Sequence, residues 1–442
     1  MSPPSDALAI SASLDALASA KSPALHHFKL ENGLSVYLSE NHATPLAAVQ
    51  LWYHVGTSDE PPGRSHLSHL LEHLIFQGSS KLPAGQYSRL IAYLGGTANA
   101  TTHEDATAFD ITLPAARLPV ALEIMADAMA TSCFDQAAFE LEVLAVAAER
   151  RLKVDNSTYE WALQQHRRLA YGDSPYAEPS FGHDIDLEET DLETVRTWYR
   201  TWYHPNNATL VVVGATTPQD LRRHVNAYFA PLPPAALRDK PALRHAQTLR
   251  ERSQQLVHPK LGDGLIMSFN VPSQATAPTL ETSVALQLLE SILGIGFSAM
   301  LYSRLIRDRL LLRTATLTYE HPLRGDTLFT LQVSTTPAIT PGEAATEILS
   351  LIDELRTAPL PDEVLAREKL RLLARHTYER ADLNEQATLV GHAASAGMDP
   401  AQLAEIPRII QRLGGSTLQQ VAAQYLCRER LSTTYLLQGE PA

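Results

Sequence analysis

The run His69-Leu70-Leu71-Glu72-His73 constrains this chain more than any other feature of its sequence. On a helix, positions four apart lie one turn apart on the same face, so His69 and His73 can bind one metal ion. Apolar residues recur at helical spacing around the run: Leu67, Leu70, Leu71 and Leu74. They predict a helix with one buried face. Ordinary core histidines are the alternative, but two imidazoles and a carboxylate packed inside a protein are costly unless something satisfies them.

A third ligand is expected downstream, since catalytic zinc sites use three protein ligands and leave one position open. Residues 135–153 form an Ala-rich stretch that predicts a long helix, and Glu142 and Glu149 lie two turns apart on its otherwise apolar face. A solvated stripe is one interpretation of this pair. The other makes Glu149 the third ligand and Glu142 a nearby carboxylate that orients water or substrate.

These motifs resemble the pitrilysin-type (inverzincin) zinc metallopeptidases, which include insulin-degrading enzyme and the mitochondrial processing peptidases. The family signature is H-x-x-E-H followed by two glutamates at the spacing that Glu142 and Glu149 have from His73 here. Further segments match the family: residues 56–63, 76–79, 99–107 and 203–214. The resemblance is dense over residues 24–230 and diffuse beyond. Within the family, the chain is closest in pattern to the processing-peptidase-like branch.

The resemblance implies a mechanism of metal-assisted peptide hydrolysis. His69, His73 and Glu149 are expected to hold one Zn²⁺, the only cofactor predicted, which lowers the pKa of water from about 15.7 towards about 7. Glu72 takes the proton as the water attacks the scissile carbonyl, then passes it to the leaving amine.

Three further candidate site residues lie in the predicted hairpin through residues 98–113. The strand that carries Asn99 and Ala100 offers a sheet edge to which an extended peptide substrate can add through main-chain hydrogen bonds. Asp105 is a candidate to accept the distal N–H of a zinc histidine. A turn-stabilising aspartate is the equal alternative for Asp105.

The second half departs from the family pattern at one position. Self-sufficient members supply an Arg and, two helical turns later, a Tyr that bind substrate and the oxyanion. Arg307 matches the Arg, but the Tyr position falls on Thr314, and Tyr319 lies too far along. We therefore expect a homologous subunit that lacks the zinc motif and carries the Arg/Tyr pair. A catalytic subunit that is silent until its partner binds is a further possibility. A self-contained homodimer is the alternative.

The chain divides at a Pro-rich, aperiodic linker over residues 233–245. Strands and helix pairs recur in similar order on both sides. This predicts an α+β fold of two homologous domains, 24–232 and 246–442, each with an antiparallel or mixed sheet and helices packed on one face. By resemblance, the two domains form half of a clamshell chamber, and the first carries the metal.

Composition excludes several classes of function. The net charge of −13 and the lack of a basic patch argue against nucleic-acid binding. No run of 18 apolar residues is present, so no membrane span is expected. The two cysteines, Cys133 and Cys427, make no disulfide framework. By resemblance to exported two-subunit relatives the compartment is expected to be the periplasm, with the cytoplasm as the alternative.

The sequence thus predicts a zinc-dependent endopeptidase that hydrolyses short or unfolded peptides, as the metal-bearing subunit of a heterodimer. The rival hypothesis is a non-catalytic structural subunit of a processing-peptidase-like complex. Such relatives commonly lose ligands, whereas this chain keeps His69, His73 and Glu149 together with Glu72.

Overall fold

A computed structural model describes residues 4–19, 23–244, 249–320 and 322–440. The strands in these ranges are β1 Leu25–Lys29, β2 Ser35–Glu40, β3 Leu46–Tyr53, β4 Thr97–Thr102, β5 Thr107–Pro114, β6 Ala208–Gly214, β7 Arg252–His258, β8 Gly264–Val271, β9 Leu312–Tyr319, β10 Thr327–Thr335 and β11 Leu431–Gln438. The α-helices are α1 Pro4–Ser19, α2 Leu67–Ile75, α3 Gln86–Tyr93, α4 Leu118–Thr131, α5 Gln136–Arg150, α6 Thr158–Tyr171, α7 Asp184–Glu189, α8 Leu192–Trp202, α9 Pro218–Tyr228, α10 Leu280–Gly294, α11 Pro341–Thr357, α12 Asp362–Ala381, α13 Leu383–Ser395, α14 Ile406–Arg412 and α15 Gly415–Tyr425.

The strands form two sheets of matching design. The first has the order β1-β2-β6-β3-β5-β4, and the second has the order β7-β11-β8-β10-β9. The pairs β2/β6 and β7/β11 are parallel, and the other described neighbours are antiparallel. Apart from β1, the second sheet repeats the order of the first. The prediction of an α+β fold with a duplicated sheet is therefore confirmed.

The predicted linker separates the two sheets. Residues 233–244 contain no helix or strand, and His245 lies outside the described residues. β6 and α9 precede this segment, and β7 follows it. The boundaries 24–232 and 246–442 stay predictions; below, N-terminal and C-terminal domain denote the parts of the chain before and after the linker.

Each sheet carries the helices of its own domain on one face, around a core such as the one that Leu70, Leu74 and Val146 share with the first sheet. The opposite face takes one helix from the other domain. α13 packs on β3 and β6, and α6 packs on β7, β8 and β11. This exchange of helices accounts for the fully buried residues of β6, because strands covered on both faces become continuous apolar runs.

The contact between α13 and β3 is close enough to require glycine. A Cβ atom on Gly391 would lie 2.1 Å from Nε1 of Trp52. The Trp52 indole donates to Oε1 of Gln50, and the amide of Gln50 donates to Thr388 of α13, at 2.9 Å in each case. The two domains are thus joined by packed and hydrogen-bonded surface on the first sheet.

The N-terminal helix α1 also crosses to the C-terminal domain. Leu14 and Ala18 join the core of that domain, and Gln411 donates to Asp15 at 2.7 Å. Among the described residues, no helix combines the length and the apolar character needed to cross a bilayer.

Candidate metal centre

The helix α2 forms where the sequence predicts it, and the carboxylate of Glu60 caps its N-terminus. Oε2 of Glu60 accepts from the backbone N–H of His66 at 3.1 Å, and Oε1 accepts from that of Ser68 at 2.7 Å. These bonds satisfy N–H groups that a helix start leaves without partners. The four leucines of the sequence pattern, Leu67, Leu70, Leu71 and Leu74, are buried. Their burial fixes the face on which the histidines stand.

The helix α5 supplies the second side of the site. Asp135 caps it by accepting from the N–H of Ala138 at 2.8 Å, and Phe139 and Val146 bury one face in the core. Because Glu142 and Glu149 lie two turns apart, both reach towards α2. The neighbouring face of α5 stays open, and Leu141, Leu144 and Leu152 just beyond the helix end are exposed.

Three side chains from these two elements converge. Oε2 of Glu149 lies 3.5 Å from Nε2 of His69 and 3.5 Å from Nε2 of His73, and one ligand atom from each residue lies within 4.8 Å of the others. Zinc bonds of about 2.0–2.1 Å in tetrahedral geometry place neighbouring donors about 3.3 Å apart. Two imidazoles and one carboxylate are also a donor set of catalytic zinc sites. The residues therefore fit a zinc ion.

The protonation state of His69 also favours metal binding. Burial, aided by the neighbouring His73, lowers the pKa of His69 to about 4, so its imidazole is neutral near neutral pH. A neutral imidazole is the form that binds a metal.

Glu142 contacts a candidate metal ligand, and its predicted role in orienting water or substrate stays a prediction. Its Oε2 accepts from Nδ1 of His73 at 2.8 Å, and its Oε1 accepts from the amide of Gln77. Burial lowers the pKa of His73, but the hydrogen bond and charge of Glu142 outweigh it and raise that pKa above its usual value. A proton held on Nδ1 leaves Nε2 free for a metal. Glu142 thus holds a candidate ligand in place.

Glu72 lies on α2 beside the converging groups and is half-buried. The hydroxyl of Thr102, at the end of β4, donates to its Oε2 at 2.6 Å. Burial raises the pKa of Glu72, and the charge of Glu149 adds to the rise. A carboxylate with a raised pKa is a better proton acceptor near neutral pH. Sequence reasoning missed Thr102, although it belongs to the hairpin motif that begins at Asn99.

Asp105 does not contact either histidine of the candidate metal centre, as the first of its two predicted roles requires. Its carboxylate accepts from Ser58 at 2.8 Å, from Tyr176 at 2.5 Å and from the backbone N–H of Arg324 at 2.9 Å. It is therefore not the partner of a zinc histidine, and the described residues provide no hydrogen-bond partner for Nδ1 of His69. Asp105 instead stabilises its turn, which was the second predicted role. Its contact with Arg324 of the C-terminal domain was not predicted.

The strand with Asn99 and Ala100 lies at the edge of the first sheet. β4 pairs with β5 on one side, and no described strand pairs with its other side. Asn99 is exposed and Ala100 is partly exposed. Thr102, three residues beyond Asn99, contacts Glu72. The open edge thus ends beside the candidate metal centre.

Arg307 is not brought to this centre. It is exposed on the helical segment Leu301–Asp308, and its guanidinium donates to Asp308 at 2.7 Å. Thr314 lies on β9, the edge strand of the second sheet. Tyr319 is buried, and its hydroxyl donates to the carbonyl of Pro272 at 2.8 Å. Tyr319 is therefore committed to the core of the C-terminal domain.

Two groups that the sequence pattern did not reveal border the centre. Nζ of Lys153 donates to Oε1 of Glu149 at 2.5 Å, and it also lies 5.3 Å from the ring centre of Phe181. The ring of Phe181 meets that of His69 edge-on at 5.4 Å. Burial raises the pKa of Glu149, but the Lys153 hydrogen bond and the histidines outweigh it and lower that pKa. Glu149 is therefore ionised, as a metal ligand must be.

Two family models match the chain. The one described as Insulinase (Peptidase family M16) matches residues 35–182, and the one described as Peptidase M16 inactive domain matches residues 190–372. The chain belongs to peptidase family M16. The resemblance to pitrilysin-type peptidases is thereby confirmed at the level of the family. His69, His73, Glu149 and Glu72 all lie in the first match.

The relatives agree with this membership. The zinc protease PqqE of Helicobacter pylori is 26% identical over 414 residues, which are 92% of this chain and 91% of that protein. The crystal structure of a protease from Helicobacter pylori has a TM-score of 0.87 at 25% identity and covers 94% of this chain and 99% of its own. The periplasmic protease PqqL from Escherichia coli has a TM-score of 0.75 at 15% identity. That match covers 95% of this chain but 48% of PqqL, so the fold described above corresponds to half of a longer relative.

Proposed function

We propose that this protein is a zinc-dependent endopeptidase. The observation that carries the proposal is the convergence of His69, His73 and Glu149, with 3.5 Å between Oε2 of Glu149 and each Nε2. Glu72 stands on the same helix, at the base position of the family motif. A relative that covers nearly the whole chain is named a zinc protease.

The chain's own residues divide the work of hydrolysis. His69, His73 and Glu149 would hold the zinc ion, which when bound polarises a carbonyl and lowers the pKa of water. Glu72 takes the proton of the attacking water and delivers it to the leaving amine. The hydroxyl of Thr102 fixes Oε2 of Glu72 at 2.6 Å and so orients the carboxylate for this transfer. Glu142 keeps the imidazole of His73 in one tautomer.

The open edge of β4 supports a short or unfolded peptide as substrate. An extended segment can pair with the free N–H and C=O groups along Asn99 and Ala100. A folded protein rarely offers such a segment, because its strands already have partners. Main-chain pairing also reads sequence weakly, so the cleavage preference is expected to be broad.

We propose further that a homologous subunit completes the site. No tyrosine follows Arg307 at the family spacing, since Thr314 stands there and the hydroxyl of Tyr319 is bonded to Pro272. The match to 48% of PqqL supports a second, similar half. That half would lack the zinc motif and supply the Arg/Tyr pair; a homodimer is the alternative arrangement. The name of PqqL supports the periplasm as the compartment.

Metal analysis and peptide hydrolysis test the proposal together. The purified protein is loaded with zinc, desalted and assayed on an unstructured fluorogenic peptide, alone and with a similar chain that carries the Arg/Tyr pair. We expect about one zinc per chain, loss of turnover with a chelator and its return with zinc. A chain that binds no zinc would contradict the proposal and favour the structural-subunit alternative.

A further inference from the structure

A charged side chain from the C-terminal domain is inserted beside the loop that precedes the metal helix. Arg324 lies in the loop between β9 and β10. Its guanidinium donates to Asp105 at 3.3 Å, to Asp59 at 3.0 Å and to Ser58 at 3.1 Å, and its backbone N–H donates to Asp105 at 2.9 Å. All three partners belong to the N-terminal domain.

The linker adds a second cation to this cluster. Nζ of Lys240 donates to Oδ2 of Asp59 at 2.6 Å and also to the carbonyl of His54. Two cations and two carboxylates therefore balance. We name Ser58, Asp59, Asp105, Lys240 and Arg324 the interdomain clasp.

The clasp is too buried to be an ordinary surface ion pair. The side chains of Asp59 and Asp105 are each 6% exposed, and those of Lys240 and Arg324 are 18% and 16% exposed. Exposed pairs contribute little, because water and salt screen them. Buried charges that lose a partner disturb their surroundings strongly, because the remaining charge is left uncompensated. Removing Arg324 would leave the carboxylate of Asp105 without its cation.

Two short paths connect the clasp to the candidate metal centre. Asp105 lies in the turn that follows β4, and Thr102 at the end of β4 donates to Glu72. Asp59 is followed directly by Glu60, whose carboxylate holds the start of α2. Thus one path reaches the expected base, and the other reaches the helix that carries both histidines.

The loop and the turn are also bonded to each other. The N–H of Thr57 donates to the carbonyl of His103 at 3.1 Å, and that of Ser58 donates to the carbonyl of Glu104 at 2.8 Å. A Cβ atom on Gly56 would lie 2.2 Å from the His103 carbonyl oxygen, so only glycine allows this approach. A displacement of the turn therefore displaces the loop as well.

We propose that Arg324 is a positioning residue for the peptidase reaction, acting from the C-terminal domain through the interdomain clasp. The inference rests on the proposed function. It gives the C-terminal domain, whose described residues include no candidate metal ligand, a share in placing Glu72 and α2. Sequence reasoning assigned Arg324 no role.

The test compares three full-length variants with the unaltered protein. Arg324→Met removes the charge and the forked donor, and Arg324→Lys keeps the charge alone. Arg309→Met is the matched control, since Arg309 donates to Glu347 at 2.6 and 2.7 Å on the surface of the same domain. Zinc content, kcat and KM on the unstructured peptide, and amide hydrogen exchange at residues 57–58 are measured for each.

We expect Arg324→Met to keep its zinc and its KM while kcat falls about 10- to 100-fold, the cost of a small misplacement of catalytic groups. Exchange at the N–H groups of Thr57 and Ser58 should become faster. Arg324→Lys should recover part of both losses, and Arg309→Met should change neither. A purely structural role would instead lower kcat only in proportion to lost zinc or lost folded protein.

Several results would overturn the inference. They are a zinc-loaded Arg324→Met with kcat within about twofold of the unaltered protein, a lysine variant no better than the methionine variant, or unchanged exchange at residues 57–58. If Arg324→Met does not fold, exchange and kcat of Arg324→Lys decide the question alone. Should the unaltered, zinc-loaded protein cleave no peptide with or without a partner, the proposed function fails, while hydrogen exchange still tests the clasp.

Discussion

The helices α2 and α10 stand at corresponding places in the two domains, and their surroundings differ. α2 follows β3, and α10 follows β8. In its own sheet, each of these strands lies next to the parallel pair and runs antiparallel to its neighbour in that pair. In α10 every residue from Ser283 to Leu293 is buried. In α2 the side chains of Glu72 and His73 stay half-exposed. One frame therefore supports either a sealed core or an accessible site.

The difference comes from what covers each helix. Both helices pack on the edge strand of their own sheet, β9 for α10 and β4 for α2, but α10 also packs against three helices, α12, α14 and α15, and α2 against two, α5 and α8. The buried carboxylate of α10 belongs to Glu290 and has a structural role, because it accepts from the backbone N–H of Tyr319 at 3.0 Å. Glu72 instead accepts from a side-chain hydroxyl, and α2 stays open on one side. An uncovered helix face, more than a different fold, distinguishes the candidate site.

The largest effect is expected from removing a candidate ligand of the open helix pair. Glu149→Ala leaves two imidazoles to hold the ion, fewer than a catalytic site needs. We expect the variant to lose both zinc and peptidase activity while its circular dichroism spectrum is retained. Zinc analysis after desalting measures this directly. A variant that keeps one tightly bound zinc would show that Glu149 is not a ligand.

The next effect separates chemistry from metal binding. In Glu72→Gln the proton acceptor is lost but the candidate ligands remain, so zinc content is expected to stay and kcat/KM to fall about 10²- to 10⁴-fold. Glu290→Gln on α10 is the matched control and should lower thermal stability without lowering turnover. Equal losses of turnover in the two variants would contradict the contrast between the helices.

A smaller effect is expected behind His73. Glu142→Gln keeps the shape of the side chain but removes the charge that holds the imidazole, so zinc affinity should fall about 10- to 100-fold. Competition with a chromophoric chelator measures the change. An affinity within about twofold of the unaltered protein would mean that Gln77 and the fold alone orient His73.

The smallest effect concerns the link between β4 and α2. Thr102→Val keeps the shape of the strand residue and removes the hydroxyl that donates to Glu72. An ordinary hydrogen bond contributes about 0.5 to 1.5 kcal/mol, so we expect kcat to fall about tenfold or less, with zinc content unchanged. Steady-state kinetics on the zinc-loaded variant measures it. An unchanged kcat would place the orientation of Glu72 elsewhere.

The sequence was most informative where a contact depends on local spacing. His69 and His73 could be predicted to share one face of α2, and Glu142 and Glu149 one face of α5, because four- and seven-residue intervals place side chains on one helix face. That the two faces meet was implied by the resemblance to the family. Asp105 shows the opposite case. Its partner Arg324 lies 219 residues further along the chain. Local spacing does not predict which distant side chain the fold brings to the carboxylate of Asp105.

The same limit applies to architecture. The order of strands and helices in each half predicted the duplicated α+β frame, since alternation and helical periodicity are local signals. The exchange of α6 and α13 between domains could not be predicted, because an amphipathic helix does not specify which sheet it covers. The open edge of β4 likewise depends on the strand order in the finished sheet.

The packing of α13 on the first sheet determines when that sheet can be covered during synthesis on the ribosome. The outer face of the first sheet, with Trp52, Val211 and Val213, waits for α13 to be synthesised. Roughly 180 residues separate β6 from the end of α13, which is roughly 10 to 40 s of translation. During that interval an apolar surface lies bare, so nascent chains stalled before residue 383 should be the ones that chaperones bind and that aggregate.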